Sequence, residues 1–591
     1  MPTKEQDKQQ KDLAKEAHQK RSAFIVGQLM HALGRPAALY RVEVRPLWED
    51  HYRVNVFVPH VSVAEQTPLV RRLLELIAFL LELVQQLKDE IARLKGLKTR
   101  PKIKPSPLEK PRPPRRRPDS YLGQHGPPQH RCPKAERLPI HHTVVLHPTD
   151  LPRGSTLKDY EETLVQGLKI APHNVLYRRG RYQTPDGQTV LASLPATAAV
   201  AGRHFDPILV TYILAQHYDQ RVPQQLILEQ LWDWGIDISE GEVNALLTER
   251  LEVFHQEKDE LLPVGLEISP YVQADDTGAR HQGHNGYCTY VGNDWFASFT
   301  STDRKSRLNF LEVLRGPHRD FVLNEAAFTY MTEHHLPAII QSRLRTAAGQ
   351  QVLDAAAWQT LLERLGVTAK WHVRLASEAA LLGSVLAHGC NPDLVIVSDD
   401  AGQFGVLTHA QCWIHGDRRL ARLNAFNDQY QQEQDGVRER LWDYYRELKA
   451  YQAAPKQSKK AGLSARFDTI FTTTTSFTTI NEVLKGIREE KAEFLRVLER
   501  PEVPLHNNVA EGDLREYVSI RKVSGGTRSD LGRRCRDTFA SLKKTCRKLG
   551  VPLWDYLLDR LTGADTVPRL TELIRRKVAA WRARKAAAAS A

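Results

Sequence analysis

The sequence predicts a multidomain chain that mixes α+β and α/β parts. It reads as an N-terminal coiled coil, a β-rich module, a helix-turn-helix region, and an α/β domain interrupted by an α-helical insertion. Three observations carry this reading. Leu69, Leu73, Leu76, Leu80, Leu83, Leu87 and Leu94 recur at spacings that form a heptad seam. From residue 267 the pattern changes, and "YVQADDT", "GYCTYVGN" and "DWFASFTST" read as three successive strands. A continuously apolar run, "PDLVIVSDD", then ends in Asp399 and Asp400, as a strand buried on both faces does.

A chain of 591 residues is too long for one core and suggests about three or four domains. Its 41% hydrophobic and 26% charged residues exclude a disordered chain. Lys and Arg number 83 against 70 Asp and Glu, a net charge of +13 that favours a polyanionic partner, nucleic acid first. Six scattered cysteines without a CxxC pair fit a reducing compartment and give no reason to expect structural zinc. The most apolar run, "LLELIAFLLELV", carries Glu75 and Glu82 and is far shorter than the roughly 20 residues a membrane span needs. The polar start, "MPTKEQDKQQ", does not read as a secretory leader, so a cytoplasmic protein is expected.

Residues 1–66 have no readable role, although 40–58 alternate as a hairpin does. Thr67-Pro68 opens a helix whose seam, over 67–97, reads as a dimerising coiled coil. Residues 98–130 form a basic, Pro-rich linker in which Arg115, Arg116 and Arg117 could lie along phosphates. A β-rich DNA-binding module is expected over 131–200, with "HTVVLH" as a strand and a hairpin turn at Pro185-Asp186-Gly187. Residues 201–260 are helical. They hold a helix-turn-helix shape with a turn at Gly235 and a Ser239/Glu242 capping box. The second helix is more acidic than basic, which favours a structural pair over a DNA-reading one. The α/β domain spans 261–423 and 501–565, and within it "HAQCWIHGDRRLARL" reads as one helix. The insertion at 424–500 is helical, with Lys456, Lys459 and Lys460 on an exposed loop, and 566–591 form a basic tail.

Two strand ends and one late helix can therefore bring three acids together. Clustered carboxylates repel one another unless cations neutralise them. Hard oxygen donors without a His or Cys partner select Mg²⁺ or Mn²⁺. Two such ions about 3.5–4 Å apart suit phosphoryl transfer on a phosphodiester. The residues alone leave open Asp275 or Asp276 in the first strand and Asp399 or Asp400 in the second, because neighbouring side chains on a strand face opposite ways. Glu511 and Arg515, four residues apart, also suit a plain ion pair on a helix surface.

The ordered set "ADDT", "SDDAGQF", "CWIH" and "HNNVAEGDLRE…RK" resembles the DDE transposases of the insertion-sequence sixty-six family (TnpC type), over about residues 206–560. The resemblance implies an RNase H-like catalytic domain with a helical insertion before its last glutamate. It makes Asp275, Asp399 and Glu511 the catalytic residues and the ligands of two Mg²⁺ (or Mn²⁺) ions. Asp276, Asp400, Cys412 and His415 would support the site, while Arg515, Arg521, Lys522 and Arg528 would face DNA. The 524–528 loop would approach phosphates through its backbone. Family members commonly carry cysteine pairs in a zinc module; here that region holds only Cys132, so no zinc is expected. Asp276 stands where the family usually has glutamate, and Gly512 where it usually has arginine. The implied activity is cleavage and strand transfer at terminal inverted repeats during transposition. The implied partners are double-stranded DNA, a second copy of the chain and accessory transposon-encoded proteins. The implied location is the bacterial cytoplasm, on the nucleoid when DNA-bound. A nuclease that does not join strands and a domesticated, non-catalytic DNA-binding protein are the alternatives.

Overall fold

The computed structural model describes the backbone of 41–48 and 51–57, and residues 140–147, 155, 157–160, 163, 165, 168–195, 204–349, 352, 354–425 and 427–590. The expected coiled coil at 67–97, the linker with Arg115, Arg116 and Arg117, and Cys132 lie outside the described residues. The chain divides into two units. One is Met1–Lys102, Gly416–Ala450 and Lys456–Lys491; the other is Ile103–His415, Tyr451–Pro455 and Ala492–Ala591.

In the first unit, β1 (Arg41–Trp48) and β2 (His51–Phe57) pair as the antiparallel hairpin their alternation predicts. The insertion forms long helices at Asp428–Ala453, Gln457–Phe471 and Thr478–Glu489. Tyr430 stacks on Phe477 with ring centroids 4.6 Å apart. Lys459 and Lys460 are in the first turns of Gln457–Phe471, not in a loop, because Gln and Lys are good helix formers once the chain has passed Pro455.

In the second unit the described residues of the expected β-rich module hold one small hairpin. Strands β3 (Arg181–Gln183) and β4 (Thr189–Leu191) meet at the expected Pro185-Asp186-Gly187 turn, where Gly187 has φ 82°. Residues 142–147 form no strand: Val144, Val145 and Leu146 are exposed, so the run buries no face that would fix a register. Four helices follow: α1 (Pro207–Leu214), α2 (Gln224–Asp233), α3 (Glu240–Thr248) and α4 (Glu252–Ile268). The Gly235 turn has φ 78°, and both bonds of the Ser239/Glu242 capping box are present. Ile227, Leu231, Val243 and Leu246 bury into one core with Phe254 and Leu261 of α4.

The sheet has the order β7-β6-β5-β8-β9, formed by β5 (Tyr271–His281), β6 (His284–Gly292), β7 (Ala297–Thr302), β8 (Val395–Ser398) and β9 (Thr408–Gln411). The first three strands are antiparallel neighbours, whereas β8 runs parallel to both β5 and β9. The sequence reading took "HAQC" as helix. Its first three residues, His409, Ala410 and Gln411, instead belong to β9, because so short a run shows no period and parallel pairing to β8 decides the conformation. Between β7 and β8 lie α5 (Arg307–Arg315), three short helices and α6 (Lys370–Ala387). After β9 come α7 (Trp413–Ala421), then α8 (Asn508–Ser524), α9 (Asp530–Leu549), α10 (Leu553–Thr562) and α11 (Leu570–Ser590).

Strand alternation sorts the two sheet faces. Val272, Ala274, Val291 and Ile396 enter the large core shared with α4, α5 and α6. Cys288, Tyr290 and Phe299 pack on Ala510, Leu514 and Tyr517 of α8. The edge strand β7 is covered by α9. Asp537, Ser541 and Thr545, one helical turn apart, accept the N–H groups of Ser301, Phe299 and Ala297 at 2.7, 2.9 and 3.1 Å. Those donors would otherwise offer a template for another strand. Residues 570–590 lie within the expected basic tail. They form a helix because Leu570, Ile574 and Val578, four apart, line one buried face, leaving the basic residues outside.

Candidate active site

The site is built where β8 ends beside β5: Asp399 follows the last residue of β8, whereas Asp275 and Asp276 lie within β5 and not at its end as expected, because pairing with β6 carries the strand on to His281. On β5, Tyr271, Gln273 and Asp275 share one face, while Val272, Ala274 and Asp276 share the other. Asp275 lies opposite Tyr290 of β6, whose hydroxyl donates to Asp513 of α8 at 2.9 Å, so this is the face that α8 covers.

Glu511 is delivered to that face by three anchors. Gln273, fully buried, accepts the N–H groups of Val509 and Ala510 through Oε1 at 3.0 and 3.2 Å. A β5 side chain thus caps the free donors at the start of α8. The Asn507 amide donates to the Ala274 carbonyl at 2.8 Å, and the Asn507 N–H reaches Cys412 Sγ at 3.2 Å. Glu511 then sits in the first helical turn, where the helix dipole favours an anion. Behind it, Asp513 and Glu516 are clamped by Lys543, Lys544 and Lys548 of α9, with Lys548 at 2.9 Å from Asp513.

The acids sense one another. The Asp275 carboxyl is pushed up to about 8, first by burial and then by the charge of Asp399, with Glu511 adding to it; the Asp276 N–H, 2.7 Å from Asp275 Oδ1, and Lys305 pull it back. Asp276 is engaged differently. It accepts the Thr289 hydroxyl at 2.6 Å and the Gln403 amide at 2.9 Å, lies 4.0 Å from Lys305, and has only 4% of its side chain exposed. Asp399, half-buried, accepts the Ala401 N–H at 3.1 Å, whereas Asp400 is exposed.

The Cys412-to-His415 element turns the corner from β9 into α7. The Trp413 N–H donates to the Leu505 carbonyl and its indole to the Phe494 carbonyl, both at 3.0 Å. His415 Nε2 lies 3.7 Å from Glu511 Oε1. Burial pushes the Cys412 thiol up to about 12, so it remains a thiol.

Of the expected DNA-facing residues, Arg515 pairs with Glu511 at 3.2 Å, and Lys522 and Arg528 are exposed. Arg521 lies over the β5 backbone at Gly278. The 524–528 loop packs against the end of β5. Thr527 exchanges backbone bonds with Arg280 and Gln282 at 3.0 and 2.8 Å, and its hydroxyl meets His281 at 2.8 Å. A Cβ on Gly526 would meet the Arg280 carbonyl at 2.7 Å, so this glycine serves close backbone approach.

Gln273, Lys305, Gln403 and Asn507 were not singled out from sequence. Gln273 and Asn507 had a signal: a polar residue two before the candidate acid in an apolar strand, and the doubled Asn four before Glu511. Gln403 lies inside the quoted "SDDAGQF" run, whereas Lys305 had no signal.

Residues 396–534 match the transposase IS66 family. An uncharacterized protein of Sinorhizobium fredii (strain NBRC 101917 / NGR234), y4jO, is 41% identical over 307 residues, which is 52% of this chain and 95% of that protein. The family match takes in Asp399, Cys412, His415 and Glu511, and the chain belongs to the transposase IS66 family.

Proposed function

We propose that the chain is a DDE transposase that binds the terminal inverted repeats of its element, cuts there and joins the freed end to target DNA. The observation that carries the reading is the convergence of Asp275, Asp399 and Glu511 on one sheet face from two parallel strands and one pinned helix start. The sheet order, with three antiparallel strands followed by two parallel ones, supports an RNase H-like catalytic domain.

Among the described residues no three His, Cys, Asp or Glu side chains form a ready-made metal cage. Mg²⁺ does not require one, since it is usually held by one or two carboxylates, waters and substrate phosphates. A set of acidic oxygens fits Mg²⁺ or Mn²⁺, and Asp275, Asp399 and Glu511 would hold two ions. When bound, they would supply Lewis acidity and a more acidic attacking water. The protein's own part is positioning. Gln273 and Asn507 fix the start of α8, His415 and Arg515 flank the two Glu511 oxygens, and Thr289 and Gln403 hold Asp276 on the opposite face. Arg521, Lys522 and Arg528 would face the DNA backbone, and a second copy of the chain would pair the two ends. No described helix is long and apolar enough to cross a membrane.

The test is a joining assay with a precut terminal-repeat end, a plasmid target and Mg²⁺. Joining and cleavage are both expected in the wild type and both lost in Asp399→Ala; cleavage unaffected by that change contradicts the reading. Cleavage without joining indicates a nuclease. Asp276→Asn should slow cleavage about 10-fold without abolishing it. The amide keeps an acceptor for Thr289 but loses the charge that faces Lys305, a loss of about 1–2 kcal/mol.

A further inference from the structure

A hydrogen-bonded chain of Glu493, His409 and Ser398 ends on the residue that carries Asp399. Ser398 closes β8, is fully buried, and its Oγ lies 2.8 Å from the Asp399 carbonyl oxygen and 2.8 Å from His409 Nε2. His409 lies on β9 opposite Ile396, so it shares a sheet face with Ser398. Its Nδ1 is 2.7 Å from Glu493 Oε2. Glu493 sits in the short Lys491–Phe494 helix, whose Phe494 carbonyl accepts the Trp413 indole at 3.0 Å.

The spacing is that of a Ser–His–acid triad, but the chemistry differs. A nucleophilic serine must reach a substrate. Ser398 has no exposed surface, and its hydroxyl is already directed at a backbone carbonyl. The proton inventory gives the arrangement its direction. The Ser398 hydroxyl has one hydrogen, given to the Asp399 carbonyl, so His409 Nε2 must donate to Ser398 Oγ. Burial works to raise the Glu493 carboxyl, but the bonds from His409 and Gln411 and the charge of Arg496 hold it below its ordinary value. Glu493 is therefore an acceptor, and His409 Nδ1 donates to it.

We propose that Glu493, His409 and Ser398 form a positioning relay that fixes the backbone turn carrying Asp399 and so sets that carboxylate's affinity for a divalent cation. The inference rests on the reading of Asp399 as a metal ligand. It makes these three residues supports and not catalytic residues, and it explains the histidine on β9 and the acid that closes the insertion. Partners that orient a ligand typically change metal affinity by 10–100-fold when removed.

Titration of the full chain with Mn²⁺ alone, followed by the electron paramagnetic resonance of the free ion, tests it. Ser398→Ala and Glu493→Ala are each expected to weaken Mn²⁺ binding by about 10-fold with little change in melting temperature. The double variant should be no weaker than the singles, because both cut one chain. Glu493 is about one-third exposed, so its variant remains folded even where Ser398→Ala does not. Binding within twofold of wild type in Glu493→Ala, or losses that multiply in the double variant, would overturn the relay. Asp399→Ala separates the two readings. If it binds Mn²⁺ as wild type does, the ligand assignment itself fails; if binding is lost while Glu493→Ala is unchanged, only the relay fails.

Discussion

Asp275→Asn is expected to abolish DNA cleavage and, in the absence of metal, to stabilise the protein at alkaline pH. Loss of one ligand removes Lewis-acid stabilisation of several kcal/mol, about 10³-fold or more in rate. The stability effect has the opposite sign. Burial and the charges of Asp399 and Glu511 raise the Asp275 carboxyl from its ordinary 3.8 to about 8. Between those values the folded chain holds a proton that the unfolded chain has released. Wild-type stability therefore falls as pH rises through this window, and the loss is complete above about pH 8. The asparagine variant has no such proton to lose. At pH 8 without metal it should melt higher than wild type, by the equivalent of about 1–3 kcal/mol, with the gap closing towards pH 4. Adding Mg²⁺ should raise the wild-type melting temperature more than that of the variant. Thermal melts at pH 5 and pH 8, with and without Mg²⁺, check all of this; equal melting temperatures at every pH would contradict the buried, mutually repelling placement of Asp275.

The second large effect concerns stability alone. Glu257 of α4 is 2% exposed and accepts Arg560 of α10 at 2.7 Å, the Tyr556 hydroxyl at 3.0 Å and the Leu570 N–H at 2.8 Å. Arg560, 7% exposed, also pairs with Asp559 and donates to the Val567 carbonyl at 2.8 Å. This knot holds α10 and the start of α11 against α4. Arg560→Met leaves a buried carboxylate without its cation and should cost about 3–5 kcal/mol. Replacing Glu257 as well, by Gln, removes the stranded charge, keeps one acceptor oxygen for the Leu570 N–H and lets the amide N–H donate to the Tyr556 hydroxyl. It should recover a large part of that loss. Denaturant unfolding of the single and double variants provides the measurement; a single variant as stable as wild type would contradict the account.

The sequence made the strand order of the sheet region legible because its strands alternate or are continuously apolar, and the helix pair before it legible because Gly235 and the Ser239/Glu242 box mark helix boundaries locally. It also made the opposition of Asp275 and Asp276 legible, since strand alternation needs nothing beyond the strand itself. What it could not show depends on partners distant in sequence. Strand β9 is four residues whose conformation comes from β8. The contact of the 524–528 loop with the end of β5, some 240 residues away in sequence, is likewise invisible locally. The residues at 570–590 look like a basic tail because their charges outnumber the three apolar residues that dock them. Gln273 reads as one polar residue in a strand until α8 places two N–H groups on it.

The most direct test of the central claim is anomalous diffraction from crystals of the protein grown in Mn²⁺. The account predicts manganese bounded by the carboxylates of Asp275, Asp399 and Glu511, with Asp276 still bonded to Thr289 and Gln403. Manganese bound through Asp276 or Asp400 in place of Asp275 or Asp399, or ordered manganese elsewhere and none among these three acids, would contradict it.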